Sequence, residues 1–175
     1  MGPASRRELA EAQAALARAL LEGGPVPPGF DEARIRAVAE SLAHKRLHAA
    51  ARAWPQLSAA LGTAWAARFA EHCAPRPLAV HHGPLCDGWW LAEALEAEGT
   101  LGDRPAVELL SVRLRFRRGD GGASPLGGWT WAHARTPRGT WWALRVGARV
   151  FTARTPWPHA RPAPSPPPRP SSRSR

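Results

Sequence analysis

Around Gly99 the apolar residues of this chain change their period. Upstream they follow helical spacing: Leu9, Gln13, Leu16 and Leu20 mark one side of a first helix over about residues 5–22, which "GGPVPPG" then stops. Downstream, in "LSVRLRFRR", Leu110, Val112, Leu114 and Phe116 alternate with Ser111, Arg113, Arg115 and Arg117, the period of a strand with one buried side. "WTWAH" and "WWALRVGARV" alternate in the same way, with Trp129, Trp131 and His133, then Trp142, Leu144, Val146, Ala148 and Val150, set against Arg145 and Arg149. Helices first and strands last make an α+β chain. The expected organisation is an N-terminal helical bundle over residues 5–100, a small three-stranded antiparallel sheet over 101–155, and a disordered Pro/Arg-rich tail over 156–175, whose composition buries too little to offset ordering entropy. Within that tail, "PSPPPRP" has the composition of a polyproline-type ligand, with a solvated tail as the plainer reading.

The helical half has readable punctuation. Asp31 is placed to cap a second helix, with Phe30 and Ile35 positioned as a hydrophobic staple. On that helix Ile35, Ala39, Leu42, Ala49 and Ala53 share a face beside a polar stripe of Arg34, Ser41, Lys45, His48 and Arg52. The stretch "HAAARAWPQLSAALGTAWAARF" contains a corner: Pro55 forces Trp54 out of helical geometry and opens a short helix that Gly62 closes. Thr63 then stands where it could cap a further helix carrying Trp65 and Phe69 one turn apart. Another helix is expected over about residues 87–98, with Leu91, Ala94 and Leu95 on its apolar side.

Charge is unevenly placed. The net charge of +10 belongs almost wholly to residues 121–175, which hold nine arginines and no acid. That balance suits an acidic partner, whether nucleic acid, acidic peptide or anionic surface, although a single lysine beside 23 arginines also fits a GC-rich coding sequence. Two cysteines make no disulfide framework and fit a cytoplasmic chain. "SRRELA" is not read as an export signal, because Glu11 and Arg18 stand where an apolar segment would have to be, and no apolar run is long enough to span a bilayer.

Chemistry-bearing patterns are sparse. His72, Cys73, His81, His82 and Cys86 cluster in sequence without the paired spacing of a zinc site, and His44 and His48 lie one helical turn apart without the glutamate of a metalloprotease helix. "GDGGASPLGG" reads as a hairpin loop between strands rather than a phosphate cradle. The expectation is therefore a non-enzymatic binding protein with no cofactor or metal. Its candidate contacts are an arginine-rich outer sheet face of Arg113, Arg115, Arg117, Arg145 and Arg149, suited to carboxylates or phosphates, and a helical basic face of Arg34, Lys45, His48 and Arg52.

Residues 12–69, with the Ala-Gln first helix, "GGPVPPGFD", "LAHKR", "WPQLSAALG" and the Arg68-Phe69 pair, resemble the helical N-terminal domain of the small partner proteins of multinuclear non-heme iron-dependent oxidases. The likeness extends more loosely through "RPAVELLSVRLRFRR" into the strands, towards an actinobacterial branch of that family. It implies a helper that holds a ribosomally made precursor peptide and presents it to the iron-bearing oxidase. Members also carry the label of DNA-binding proteins, so nucleic acid is the alternative partner; no membrane partner is implied.

Overall fold

The computed structural model describes residues 3–21, 23–119 and 121–157, and shows an α+β chain whose helices precede its strands. Two long helices, α1 (Pro3–Leu21) and α2 (Glu32–Ala53), are followed by α3 (Pro55–Leu61), a single 3-10 turn at Gly62–Ala64, and α4 (Trp65–His72). Then come α5 (Gly83–Ala97) and α6 (Asp103–Arg113). Strands β1 (Phe116–Gly119) and β2 (Gly122–Pro125) form a hairpin, and β3 (Thr130–Thr136), β4 (Gly139–Val146) and β5 (Arg149–Pro156) form an antiparallel meander.

Asp31 caps α2 in extended geometry, its carboxylate accepting from the Arg34 amide at 3.1 Å. The corner at Trp54-Pro55 is the centre of the helical core. Trp54 is fully buried, and its indole N–H donates to the Leu85 carbonyl at 3.0 Å. Its ring lies against Gly88 of α5, where an added Cβ would fall 2.1 Å from the indole, so only glycine admits the tryptophan. The free amides at the start of α3 are taken up from outside the helix: the Glu108 carboxylate of α6 accepts from Gln56 at 3.1 Å and Leu57 at 2.8 Å. Burial pushes the Glu108 carboxyl above its ordinary range, while those two amides pull it back. Trp65 and Phe69 pack together with ring centroids 5.8 Å apart, as their spacing predicts. Thr63 falls inside the 3-10 turn, and α4 begins after Ala64 with no side-chain cap.

Three sequence expectations are corrected. Residues 110–113, expected to begin a strand, are the last turn of α6. Pro105 stands in the first turn of this helix, where its missing N–H costs nothing, and Ala106, Leu109 and Leu110 are buried along one helical side, so the helical period outweighs the short alternation. "GDGGASPLGG" contains a strand of its own, β2, paired with β1. "WWALRVGARV" is two strands: Gly147, at φ 60°, takes the left-handed position of a tight turn between β4 and β5. The expected three-stranded sheet is thus matched only in part: the three strands are β3, β4 and β5, and a separate two-stranded hairpin, β1 with β2, precedes them. Of the tail, Pro156 ends β5 and Trp157 donates to the Thr136 carbonyl at 3.0 Å. Residues 158–175, including "PSPPPRP", lie outside the described residues.

Candidate functional site: the open face and free edge of the sheet

The register of the meander assigns each side chain to a face. Trp131, Leu144 and Phe151 stand in line across the three strands, as do His133, Trp142 and Ala153. On the other face are Ala132, Ala134 and Thr136 of β3 with Ala143 and Trp141 of β4. Helix α6 covers this second face, and the reason is size: the buried alanines 132, 134 and 143 let the helix approach closely. The aromatic face is left to solvent, with Trp131 61 %, Trp142 42 % and Phe151 56 % exposed. Its rings form one group, with Trp131–Trp142 centroids 6.3 Å apart and His133–Trp142 5.3 Å. Trp129, just before β3, is more exposed still. An apolar patch of this kind on a sheet is uncommon unless something binds there.

This inverts the sequence expectation for the sheet. Within β3 and within β4 alternation separates two sets, but the arginine of β4 is on the covered side: Arg145 is half-buried on the α6 side and donates to the Leu126 carbonyl at 2.7 Å, while the turn at Gly147 puts Val150 beside it and Arg149 on the opposite face. Arg113 does not lie on a strand. From the end of α6 it donates to the His133 carbonyl at 2.6 Å and pairs with Glu96 at 2.7 Å, so its guanidinium is consumed in joining helices to sheet. Arg115 is exposed in the link to β1, and Arg117 is exposed on β1, in the separate hairpin. Of the five expected sheet arginines, Arg149 alone lies on the open face, opposite Val146 at the turn end; Arg135, which sequence reasoning passed over, is on the same face at the other end. Arginines therefore bracket the aromatic group along a length of roughly 20 Å, about six residues of strand.

The two edges of the meander differ. On β3 two backbone groups are capped, the His133 carbonyl by Arg113 and the Arg135 amide by Glu96 at 2.7 Å. Every residue of β5 is exposed, and among the described residues no side chain caps its outer edge. The sheet is fastened from below by Asp103 at the start of α6, which accepts from the Trp141 indole at 3.1 Å and meets Arg138 and Arg154. The Trp141 hydrogen bond, with the two arginines, holds the Asp103 carboxyl below its ordinary range.

Elsewhere, Arg34, Lys45, His48 and Arg52 are all exposed along α2, as the stripe predicts, and His48 lies 2.9 Å from His44 between ring nitrogens. The adjoining Arg46 was not singled out from the sequence, yet it makes the main buried ion pair of the helical half. It grips the fully buried Asp87 of α5 through Nε at 2.8 Å and a terminal nitrogen at 2.7 Å. Cys73 donates to the Asp87 backbone carbonyl at 3.2 Å, and burial pushes its thiol up to about 12. Among the described residues, His72, Cys73, His81, His82 and Cys86 do not converge on a common point that could hold a metal ion. No described helix is long and apolar enough to cross a membrane.

Fold and surface together define an α+β domain with a helical body and an open-faced sheet. The helical body is also the part with known relatives: residues 10–97, about half of the chain, match the SCO6045-like C-terminal domain, and the protein belongs to that family. A UPF0276 protein of Streptomyces avermitilis is 39 % identical over 74 residues, a stretch that is 42 % of this chain and 15 % of that relative. The chain therefore spans only a small part of the much longer relative it matches. No solved structure matches the chain.

Proposed function

We propose that the protein is a non-catalytic adaptor that holds an extended precursor peptide against the free edge of β5 and brings it to a larger iron-dependent oxidase, the role implied by its resemblance to the oxidase partner proteins. The observation that carries this reading is the pairing of an edge strand that no side chain caps among the described residues with an exposed aromatic face beside it. Backbone bonds to β5 would supply sequence-independent affinity, and alternate peptide side chains would extend the face begun by Phe151, with Arg149 favouring an acidic residue. The relative lends support of a different kind: a segment akin to this one forms a minor part of a much longer chain, as a domain that works beside a larger body would.

Nucleic acid is the second reading, favoured by the grouped rings of Trp131, His133 and Trp142 on the open face of a chain of net charge +10, since unpaired bases stack on such rings. Titration with an acidic extended peptide and with a single-stranded oligonucleotide separates the two. The adaptor reading expects peptide binding that falls at least about tenfold on Arg149→Glu, the loss of one charge-assisted contact and its replacement by repulsion. Oligonucleotide binding with a steep salt dependence, lost on Trp131→Ala and without peptide binding, would overturn it.

A further inference from the structure

A second open surface lies on the helical body, away from the sheet. Helix α1 packs chiefly on α2, and between α1, α2 and α4 runs an apolar groove of about 620 Å³. Its floor is Leu42, Leu47 and Phe69, and its walls are alanines, Ala39 and Ala43 on α2 with Ala66 and Ala70 on α4. The alanines leave holes, beside which Leu21 and Leu78 of the lining stand about half exposed. A helix can lie close against the alanines, provided that it brings large side chains to fill those holes.

We propose that this groove receives an amphipathic helix of a larger partner protein, apolar on the side it buries and acidic on the flank that meets Lys45. The apolar lining sets the first property. The second follows from charge: Lys45, on the rim, belongs to the stripe with Arg34, His48 and Arg52, while Glu40 is the one acid among the lining residues. That the occupant belongs to a larger protein follows from where the groove lies. All of its lining falls within residues 10–97, the family-matched part, and the 74 residues that match the Streptomyces relative are 15 % of that far longer chain, so a segment akin to part of this one occurs joined to a larger body. A second copy of this chain is a poor occupant: the stripe would face itself, and α1, the amphipathic helix at hand, is already seated on α2. The inference rests on the adaptor reading only in taking the occupant from a partner protein.

The test uses the full chain and a synthetic helix of about 18 residues, five turns, with leucines at i, i+3, i+4 and i+7 and glutamates along one flank, titrated by fluorescence anisotropy. Wild type should bind it, and Ala43→Glu and Ala70→Glu, both at exposed positions and checked by unchanged circular dichroism, should weaken binding at least about tenfold, since each would place a charge against the apolar side of the probe. Replacing the flanking glutamates by lysines should also weaken it. Absence of binding to wild type overturns the proposal, as does equal binding by the two groove variants or a loss confined to Trp131→Ala, which would put the probe on the sheet. The same samples titrated with the acidic extended peptide report on the adaptor reading separately, because both substitutions lie on helices of the body and neither is on the sheet.

Discussion

Arg46→Met is the substitution whose consequence can be worked furthest. It removes both charged hydrogen bonds from the Asp87 carboxylate, which has no exposed surface, and leaves that charge within the core formed by α2, α4 and α5. Breaking one side of a buried pair costs about 3–5 kcal/mol, because the remaining ion keeps its desolvation penalty and loses its compensation. The third contact of Arg46, to the Arg76 carbonyl at 3.0 Å, is exposed, so water replaces it and it adds little. For a chain of this size each kcal/mol moves the unfolding midpoint by about 2–4 °C, which puts the expected fall at about 6–20 °C in a thermal scan. The second arm of the experiment is Arg46→Met with Asp87→Leu. Exchanging a whole buried pair for apolar side chains is often close to neutral, so the double variant should recover at least half of the loss. The reasoning is refuted if Arg46→Met costs less than about 1 kcal/mol, or if the two substitutions are simply additive, either of which would mean that Asp87 is not dependent on its partner.

Gly88→Ala should destabilise by about 1–3 kcal/mol through overpacking against Trp54, and should be relieved by Trp54→Leu in the same chain; an unaffected urea midpoint would show that the corner is loosely packed. Acid should loosen the attachment of the sheet: the Asp103 carboxyl is held below its ordinary value near about 4, so its contribution is complete above that pH and disappears as pH falls through the lower folded value. Asp103→Asn should therefore flatten the fall in stability below about pH 4, and an identical pH profile in the variant would contradict this assignment. The Cys73 thiol, pushed up to about 12 by burial, should resist alkylation at about pH 8 in the folded protein and react once the chain is unfolded, whereas fast native labelling would mean that α4 opens readily from α5.

How much of this was legible depends on how local each cause is. Asp31 as a cap and Pro55 as the first residue of a short helix are decided by their own neighbours, and both stand where the sequence puts them. Gly147 carried a legible turn signal inside "WWALRVGARV" that the longer alternation obscured. For residues 110–113 two periods fitted, and the choice went to the helix because tertiary burial of Ala106, Leu109 and Leu110 rewards it. Within β3 and within β4 alternation says which residues lie together, but the turn at Gly147 resets it, so that Arg149 joins the face of Trp142 and Val150 that of Arg145, and the covered side was chosen by the fit of α6 onto alanines. That is why Arg145 was expected outside and Trp131 and Trp142 inside, and why Arg135 was missed. Arg46 and Asp87 are 41 residues apart, and nothing near either residue announces the pair.

The central claim is that peptide joins the sheet at β5, and amide hydrogen exchange with and without an acidic extended peptide tests it most directly. Added protection should concentrate in Arg149–Pro156, with little change on β3, where Arg113 and Glu96 already cap two backbone groups. Protection confined to β1 and β2, or to the helical body with β5 unchanged, would contradict it.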